Sequence, residues 1–549
     1  MRYGISPETY IAKVSAAVIW FCFTAFSLYI APFHEIWADE VQAFLIARDA
    51  SFSEILTVIP HQEGQPVLWH LLLKLLIAIF GEELNITYVS IVVMSITVGI
   101  FLFCCWVPLI YKILLPFGHY FLYQYNIISR NYCLAYLAMV LLAVLYEKRH
   151  RYIWRYALSL LLFAESAAFL APVAAVLGLF WFSEAYRRTS GKPFQYIAPV
   201  CLLGGCGLLM LWQILPVNMV QYNMRIEHIE NYPYNVLAHF PEAFFAGENT
   251  MLNLTFLFIT AFYAVKTAMS TSFYVNMRNN LPVVLRFTTV WSVFIATYFA
   301  VRPMYYHQGL IWGLFLCSVY MFFPNYAQSR KHYLFLACAV MQIYWSAVSA
   351  DYEIKHPYSS QNQVLGMLAK HNVFENPEAK VQAVGFHTLP LQLILGRDKL
   401  YIADKAPMYW LWTEEDMAVK GDNMQELIDR HHDIAVIDED DAAGADFSYY
   451  ENQAEFNGYK IPAAAVYKGY LFYEQGVRLF IRKMGTGPKV KPDMEKKKQD
   501  KIDKKSKGYR KNVSAKRREM IGNKNMKSCS PHNAEQCPPE TDKRGKNAA

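Results

Sequence analysis

Long apolar runs separated by short polar or basic links fill the first two thirds of the chain. About eleven read as spans, near 10–31, 66–80, 85–107, 131–147, 152–167, 168–183, 194–214, 251–269, 283–301, 307–323 and 332–349. Several fall short of the roughly 20 residues that a helix needs to cross a bilayer. The pattern is that of a mainly α, polytopic membrane protein over 1–350. The first run does not read as a signal peptide, because it is long and no small-residue cleavage site precedes the acidic stretch after it.

The loop between the first two runs, 31–65, carries helical patterning of its own. In "HEIWADEVQAF" (34–44), Asp39 and Gln42 fit an N-cap and a capping box, and Val41, Phe44 and Leu45 share a face. Ser51 and Glu54 form a second box, Phe52, Ile55, Leu56 and Ile59 follow at helical spacing, and Pro60 is expected to stop that helix. Two short amphipathic helices on the outer membrane surface are predicted.

After residue 350 the pattern changes. "KVQAVGF", "HDIAVID" and "GYLFYEQGVRLFIRK" read as strands, and "SSQNQVLGMLAKH" and "MQELIDRHH" as helices. A small C-terminal α/β or α+β domain outside the membrane is expected over 351–483. The tail 484–549 is Lys-rich, apolar-poor and reads as disordered.

Composition agrees: 54% of residues are hydrophobic and only 18% charged, less charge than a soluble domain carries. The net +7 belongs to the tail, which holds 19 Lys+Arg against 8 Asp+Glu, while the remainder holds 33 against 37. The tail's basic runs suit anionic lipid or an acidic polymer, but a solubilising segment accounts for them as well. The links 147–155, 184–194, 276–286 and 325–332 are basic and fall on one side if 108–130 does not cross, which makes that side cytoplasmic. The loops 31–65, 216–250 and 302–306, and everything beyond 350, then face outward. Eight of the ten cysteines lie in apolar segments and two in the tail, so there is no disulfide framework.

Chemistry concentrates at the outer mouth. A cap explains Asp39 but not Glu40, nor why His61, Glu63 and Gln65 stand just before Pro66 at the next run. A carboxylate against an apolar surface has its pKa raised and can accept a proton. Arg130 opens the span 131–147, and Arg302, Tyr305, Tyr306 and His307 link two spans. Arginines at helix N-termini suit phosphate, although each alone is equally well read as snorkelling to headgroups. Glu165 falls near an outer hairpin. Glu227, His228 and Glu230 in "RIEHIE" have a spacing that metals accept, though most such clusters are simply solvated. The sequons at 85–87 and 253–255 lie at or inside spans and are discounted. No Walker A loop and no Gly-rich dinucleotide fingerprint occur, so a cytosolic nucleotide sugar has no support.

"IWADEVQAFLIARD" followed by "HQEGQPVLWHLLLKLL" resembles the first outer loop of the GT-C membrane glycosyltransferases, which include the protein O-mannosyltransferases and the lipid A aminoarabinose transferases. As a motif the likeness covers 34–73, and as architecture about 350 residues; the family's His-Pro-Pro is Gly-Gln-Pro here. The resemblance implies a polyprenyl-phosphate sugar donor, a lipid, glycan or protein acceptor, and inverting transfer on the outer face. Asp39 matches the catalytic acid position, with Glu40 supporting it. His61, Glu63, Arg130, Arg302, Tyr305 and His307 are then expected to bind substrate. The implied location is a bacterial inner membrane with the site outward. No cofactor is required, a divalent metal is left open, and no nucleic-acid partner is expected. Two rival readings are a transporter or flippase for a lipid-linked saccharide and a non-catalytic assembly protein acting through its C-terminal domain. The first would favour acids in mid-span and paired broken helices.

Overall fold

The computed structural model describes residues 7–216, 243–244, 255, 271–298, 307–324, 333–356, 358–400, 407–412, 434–438, 456–467 and 470–482. The expected span 251–269, the helix in "MQELIDRHH" and the tail lie outside these, apart from the isolated Thr255. The fold is mostly helical. Among the described residues, five helices are long and apolar enough to cross a membrane: Ile11–Phe33, Ile86–Cys104, Ala168–Arg188, Phe194–Ile214 and Leu281–Tyr298. Shorter apolar helices cover Leu68–Phe80, Tyr132–Tyr146, Ile153–Ala164 and Gln308–Phe322.

In chain order the helices are α1 (Pro7–Ile30), α2 (Ala38–Asp49), α3 (Phe52–Thr57), α4 (Ile59–Glu63), α5 (Leu68–Phe80), α6 (Ile86–Cys104) and α7 (Leu109–Leu114). They continue with α8 (Tyr132–Tyr146), α9 (Ile153–Ala164), α10 (Ala171–Arg188), α11 (Phe194–Ile214), α12 (Thr271–Tyr298), α13 (Gln308–Phe322) and α14 (Tyr333–Lys355). Between α7 and α8 the chain makes a 3-10 turn, Leu115–Phe117, and a π-helical turn, Tyr120–Gln124.

Hydrogen bonds identify the two ends of this bundle. Trp20 Nε1 donates to the Ser95 carbonyl at 2.8 Å, and Ser129 Oγ donates to the Ile86 carbonyl at 2.7 Å. Ser129 N–H in turn donates to Glu40, so α6 starts at the end where α2 lies. The expected second span, 66–80, therefore does not traverse the bundle. It forms α5, which runs beside α2: Lys74 Nζ donates to the Ala47 and Ala50 carbonyls at 3.0 and 2.7 Å. A 13-residue helix is only about 20 Å long, and a lysine at its centre requires polar partners, which the end of α2 supplies.

The segment 108–130, expected not to cross, does run the length of the bundle. Trp106 N–H donates to the Tyr320 hydroxyl near the C-terminal end of α13, whereas Asn126 Nδ2 donates to Ser27 Oγ at 2.7 Å, close to the α2 end. Pro108, Pro116 and Gly118 break it into short pieces, which hides it from a search for one uninterrupted run. The two departures cancel. Three of the basic links, 147–155, 184–194 and 276–286, meet at the end away from α2, where Glu184 bonds Arg149 at 2.7 Å, His150 at 3.1 Å and also Arg286, and the fourth, 325–332, lies outside the described residues.

Close packing joins the helices. A methyl group on Gly309 would sit 2.5 Å from Tyr120 Cδ1 and 2.6 Å from Tyr125 Cε2, and one on Gly313 would sit 2.9 Å from Met139 Sδ. Small residues at such crossings let apolar helices approach closely.

Beyond α14 come α15 (Gln361–Lys370), β1 (Gln382–Val384), α16 (Leu389–Lys399), β2 (Ile434–Asp438), β3 (Phe456–Tyr467) and β4 (Tyr470–Arg482). The sheet order is β1-β2-β4-β3, with β1 parallel to β2 and the other pairs antiparallel. The three predicted strands and the helix in 359–371 are present. β3 was not predicted, because Pro462 and three alanines interrupt its pattern. The register shifts between Ile461 and Ala463, so the proline sits at an irregularity of an end strand, where a missing N–H is tolerated.

This region shares a core with the first loop. Val41, Leu45, Ile46, Ile55 and Ile59 cluster with buried residues of 364–410, 477 and 479, while Phe44 and Ala47 face the helical bundle. α2 is thus buried on both sides rather than lying as an amphipathic surface helix.

A candidate active site at the N-terminus of α2

The site begins with the first turn of α2, which starts one residue before Asp39. Trp37 is the N-cap, Asp39 is the second helical residue and Glu40 the third. Glu40 reaches back to the Trp37 N–H at 2.8 Å, so Glu40 rather than Asp39 ties down the helix start, and the expected Asp39–Gln42 box does not form. The Ser51–Glu54 box does form, at 2.8 and 3.2 Å. α3 ends at Thr57, and Pro60 opens the separate turn α4 instead of stopping α3. Three helices therefore fill the loop where two were expected.

Relieved of capping, the Asp39 carboxylate is available for another partner. Arg130 Nη1 donates to Asp39 Oδ2 at 2.5 Å. The guanidinium lies 5.7 Å from the Trp37 ring and 5.4 Å from the Tyr132 ring, within cation–π range. Both partners of the ion pair remain about one-fifth exposed, so a ligand can reach them.

Glu63, at the end of α4, joins this group. Gln42 Nε2 donates to Glu63 Oε1 at 2.9 Å and to the Trp410 carbonyl at 2.7 Å, while the Trp410 N–H donates back to Gln42 Oε1 at 2.8 Å. Burial is the largest influence on the Glu63 carboxyl and pushes it up to about 7. The Gln42 amide, Arg130 and the Trp412 side chain oppose that rise, and the neighbouring charge of Asp39 reinforces it.

Glu40 is wholly buried and serves a separate set of partners. Its Oε1 accepts from Ser129 N–H at 2.5 Å, and its Oε2 lies 3.0 Å from His34 Nε2. His34 Nδ1 is 2.8 Å from Glu353 Oε1, and the Tyr123 hydroxyl donates to Glu353 Oε2. Burial alone would lower the His34 imidazole. The two carboxylates outweigh it and raise it to about 10, so the ring is an imidazolium donating to both.

His61 Nδ1 donates to the Leu215 carbonyl at 2.8 Å, and its ring packs edge-on against Trp212. His307 Nε2 lies 2.6 Å from the Tyr132 hydroxyl, behind Arg130, among the rings of Phe169 and Tyr298. Arg302 and Tyr305 lie outside the described residues, as do Glu227, His228 and Glu230. Among the described residues no group of three or more His, Cys, Asp and Glu is arranged to hold a metal ion.

Sequence reasoning missed Gln42 as a bridge, Ser129 and Glu353. A glutamine on an apolar helix face, a serine in a loop and an acid in the last turn of a helix carry no signal of their own. His34 stood beside the acidic motif, but only the fold shows that its ring reaches Glu40 on one side and Glu353, from the end of α14, on the other. Comparison with family models, with curated proteins and with solved structures gives no match.

Proposed function

We propose that the chain is an integral membrane glycosyltransferase of GT-C type that transfers a sugar from a polyprenyl-phosphate donor to an acceptor, with inversion. The observation that carries this reading is the Asp39–Arg130 pair. A carboxylate and a guanidinium from two distant segments meet, partly open, at one end of an apolar helical bundle. The chemistry needs both. A base must take the acceptor's proton as it attacks the anomeric carbon, and a cation must stabilise the charge that grows on the departing phosphate. In the resting protein the two neutralise one another. On this reading the donor phosphate draws the guanidinium away and frees the Asp39 carboxylate for the acceptor.

Finer parts of the reading go with it. About eleven crossings, and an outward-facing site and C-terminal domain, are proposed from the apolar runs and the basic links, and a bacterial inner membrane is proposed from the resemblance. Arg302, Tyr305 and His307 would complete the phosphate site, and Glu63 would orient the acceptor. A transporter is less well supported, since Asp39, Glu63 and Glu353 lie at the bundle end rather than at the middle of apolar helices.

The test is incubation of the purified protein in lipid with a panel of polyprenyl-phosphate sugars and candidate acceptors. Release of the lipid phosphate with formation of the glycosylated acceptor is expected. Failure of every donor, under conditions where the protein stays folded, would remove the enzyme reading.

A further inference from the structure

Two consecutive residues ahead of α2 are bonded to the last turn of α14 and to the segment that follows it. His34 lies between Glu40 and Glu353, and all three side chains are shut off from solvent. Glu35 accepts from Ser359 N–H and Oγ at 3.2 and 3.1 Å and from Asn362 Nδ2 at 2.6 Å. The network continues in the other direction. The Glu40 oxygen opposite His34 holds the N–H of Ser129, and the next residue is Arg130. A chain of bonds therefore runs from Tyr123 through Glu353, His34 and Glu40 to the backbone that carries Arg130.

We propose that His34 is a positioning residue: it holds Glu40 where Glu40 fixes the Ser129–Arg130 turn against the start of α2, and it makes that geometry depend on the end of α14. The consequence for turnover rests on the glycosyltransferase reading, whereas the geometry does not. Glu40 has to serve the Trp37 and Ser129 N–H groups at once, which fixes its side chain. In that position it lies near a second buried carboxylate, Glu353, with only the imidazole between them. Two carboxylates bridged this way need a donor toward each, which a doubly protonated ring supplies. Without it, repulsion in a water-poor site drives one of them out, and loss of Glu40 releases Ser129.

The test uses the full-length protein with H34Q and the double variant H34Q/E353Q. In H34Q the introduced amide can donate to Glu40 but then turns its carbonyl toward the Glu353 carboxylate. In the double variant the amide introduced at position 353 donates to the amide carbonyl at position 34, and the amide nitrogen at position 34 donates to Glu40. The net charge of the trio then returns to that of the wild type. Backbone hydrogen exchange is read over 127–131, and turnover is read per folded molecule with polyprenyl-phosphate sugar. H34Q is expected to exchange at least about tenfold faster over 127–131, with the body of α8 unchanged. Its kcat should fall about 10–100-fold, as for a reacting group displaced by about an ångström. H34Q/E353Q is expected to recover both. Unchanged exchange over 127–131 in folded H34Q, or a double variant as impaired as the single, would overturn the proposal. If H34Q does not fold, the double variant decides alone: wild-type protection over 127–131 supports the proposal, while lost protection or failure to fold overturns it. A wild-type protein inactive with every donor would dispose of the enzyme reading and leave the exchange result to judge His34.

Discussion

Arg130 and Asp39 form an ion pair across 91 residues of sequence, at 2.5 Å, with the guanidinium in cation–π range of two rings. The pair joins the first turn of α2 to the turn that opens α8. Neither residue is needed to start its own helix, since Glu40 ties down α2 and no side chain of the 130–131 turn caps α8. Their contact is therefore a feature of the site and not of local folding.

Asp39→Asn separates these roles. Loss of a general base costs about 10²–10⁴-fold in rate, and transfer should fall by that much while melting temperature changes little, because Glu40 keeps its bond to Trp37. Turnover assayed on monodisperse protein checks this. Near-normal activity would move the base elsewhere, with Glu63 first in line.

Arg130→Lys and Arg130→Ala should differ. Lysine keeps the charge but loses the planar fork and the flat contact with Trp37 and Tyr132. Partial donor use is expected with lysine and almost none with alanine. Donor titrations decide, and wild-type kinetics in the alanine variant would take Arg130 out of the site.

Stability should fall with pH in two windows. Glu63 is raised from 4.5 to about 7, so the folded protein binds the extra proton, and that contribution is complete below 4.5 and lost as pH rises through 7. His34 is raised from 6.5 to about 10, so its contribution is complete below 6.5 and lost as pH rises through 10. Melting temperature against pH should lose its near-neutral slope in Glu63→Gln and its alkaline slope in His34→Gln. Unaltered slopes in both variants would contradict these assignments.

Gly309→Ala should destabilise the bundle by about 1–3 kcal/mol, because the added methyl meets the Tyr120 and Tyr125 rings, which are packed on every side. Thermal unfolding in detergent measures it. An unchanged melting temperature would mean that α13 lies farther from this tyrosine cluster.

Cysteines placed at Ser53 and Lys192 should react with a membrane-impermeant reagent from opposite sides. Ser53 is exposed beside the α2 end, and Lys192 is exposed in the basic link after α10. The Ser53 position should label in intact cells and the Lys192 position only after permeabilisation. The reverse pattern would place the acids in the cytoplasm and remove the lipid-linked donor from reach.

The sequence by itself determined the apolar helices, the three described basic links that gather at one end, the Ser51–Glu54 cap, three of the four strands among the described residues, and Asp39 and Arg130 as separate candidates. These are local properties: composition over a window, a period, or a charge beside an apolar run. Tertiary structure decided what needed a partner from far along the chain. α5 lies along α2 because Lys74 finds the carbonyls of Ala47 and Ala50, and 108–130 runs the length of the bundle although prolines and a glycine break its pattern. Glu40, which local spacing made a companion of Asp39, is committed instead to Trp37, Ser129 and His34. A buried carboxylate takes the donors that the fold brings within about 3 Å, because leaving it unpaired away from water costs more than any local preference can offset.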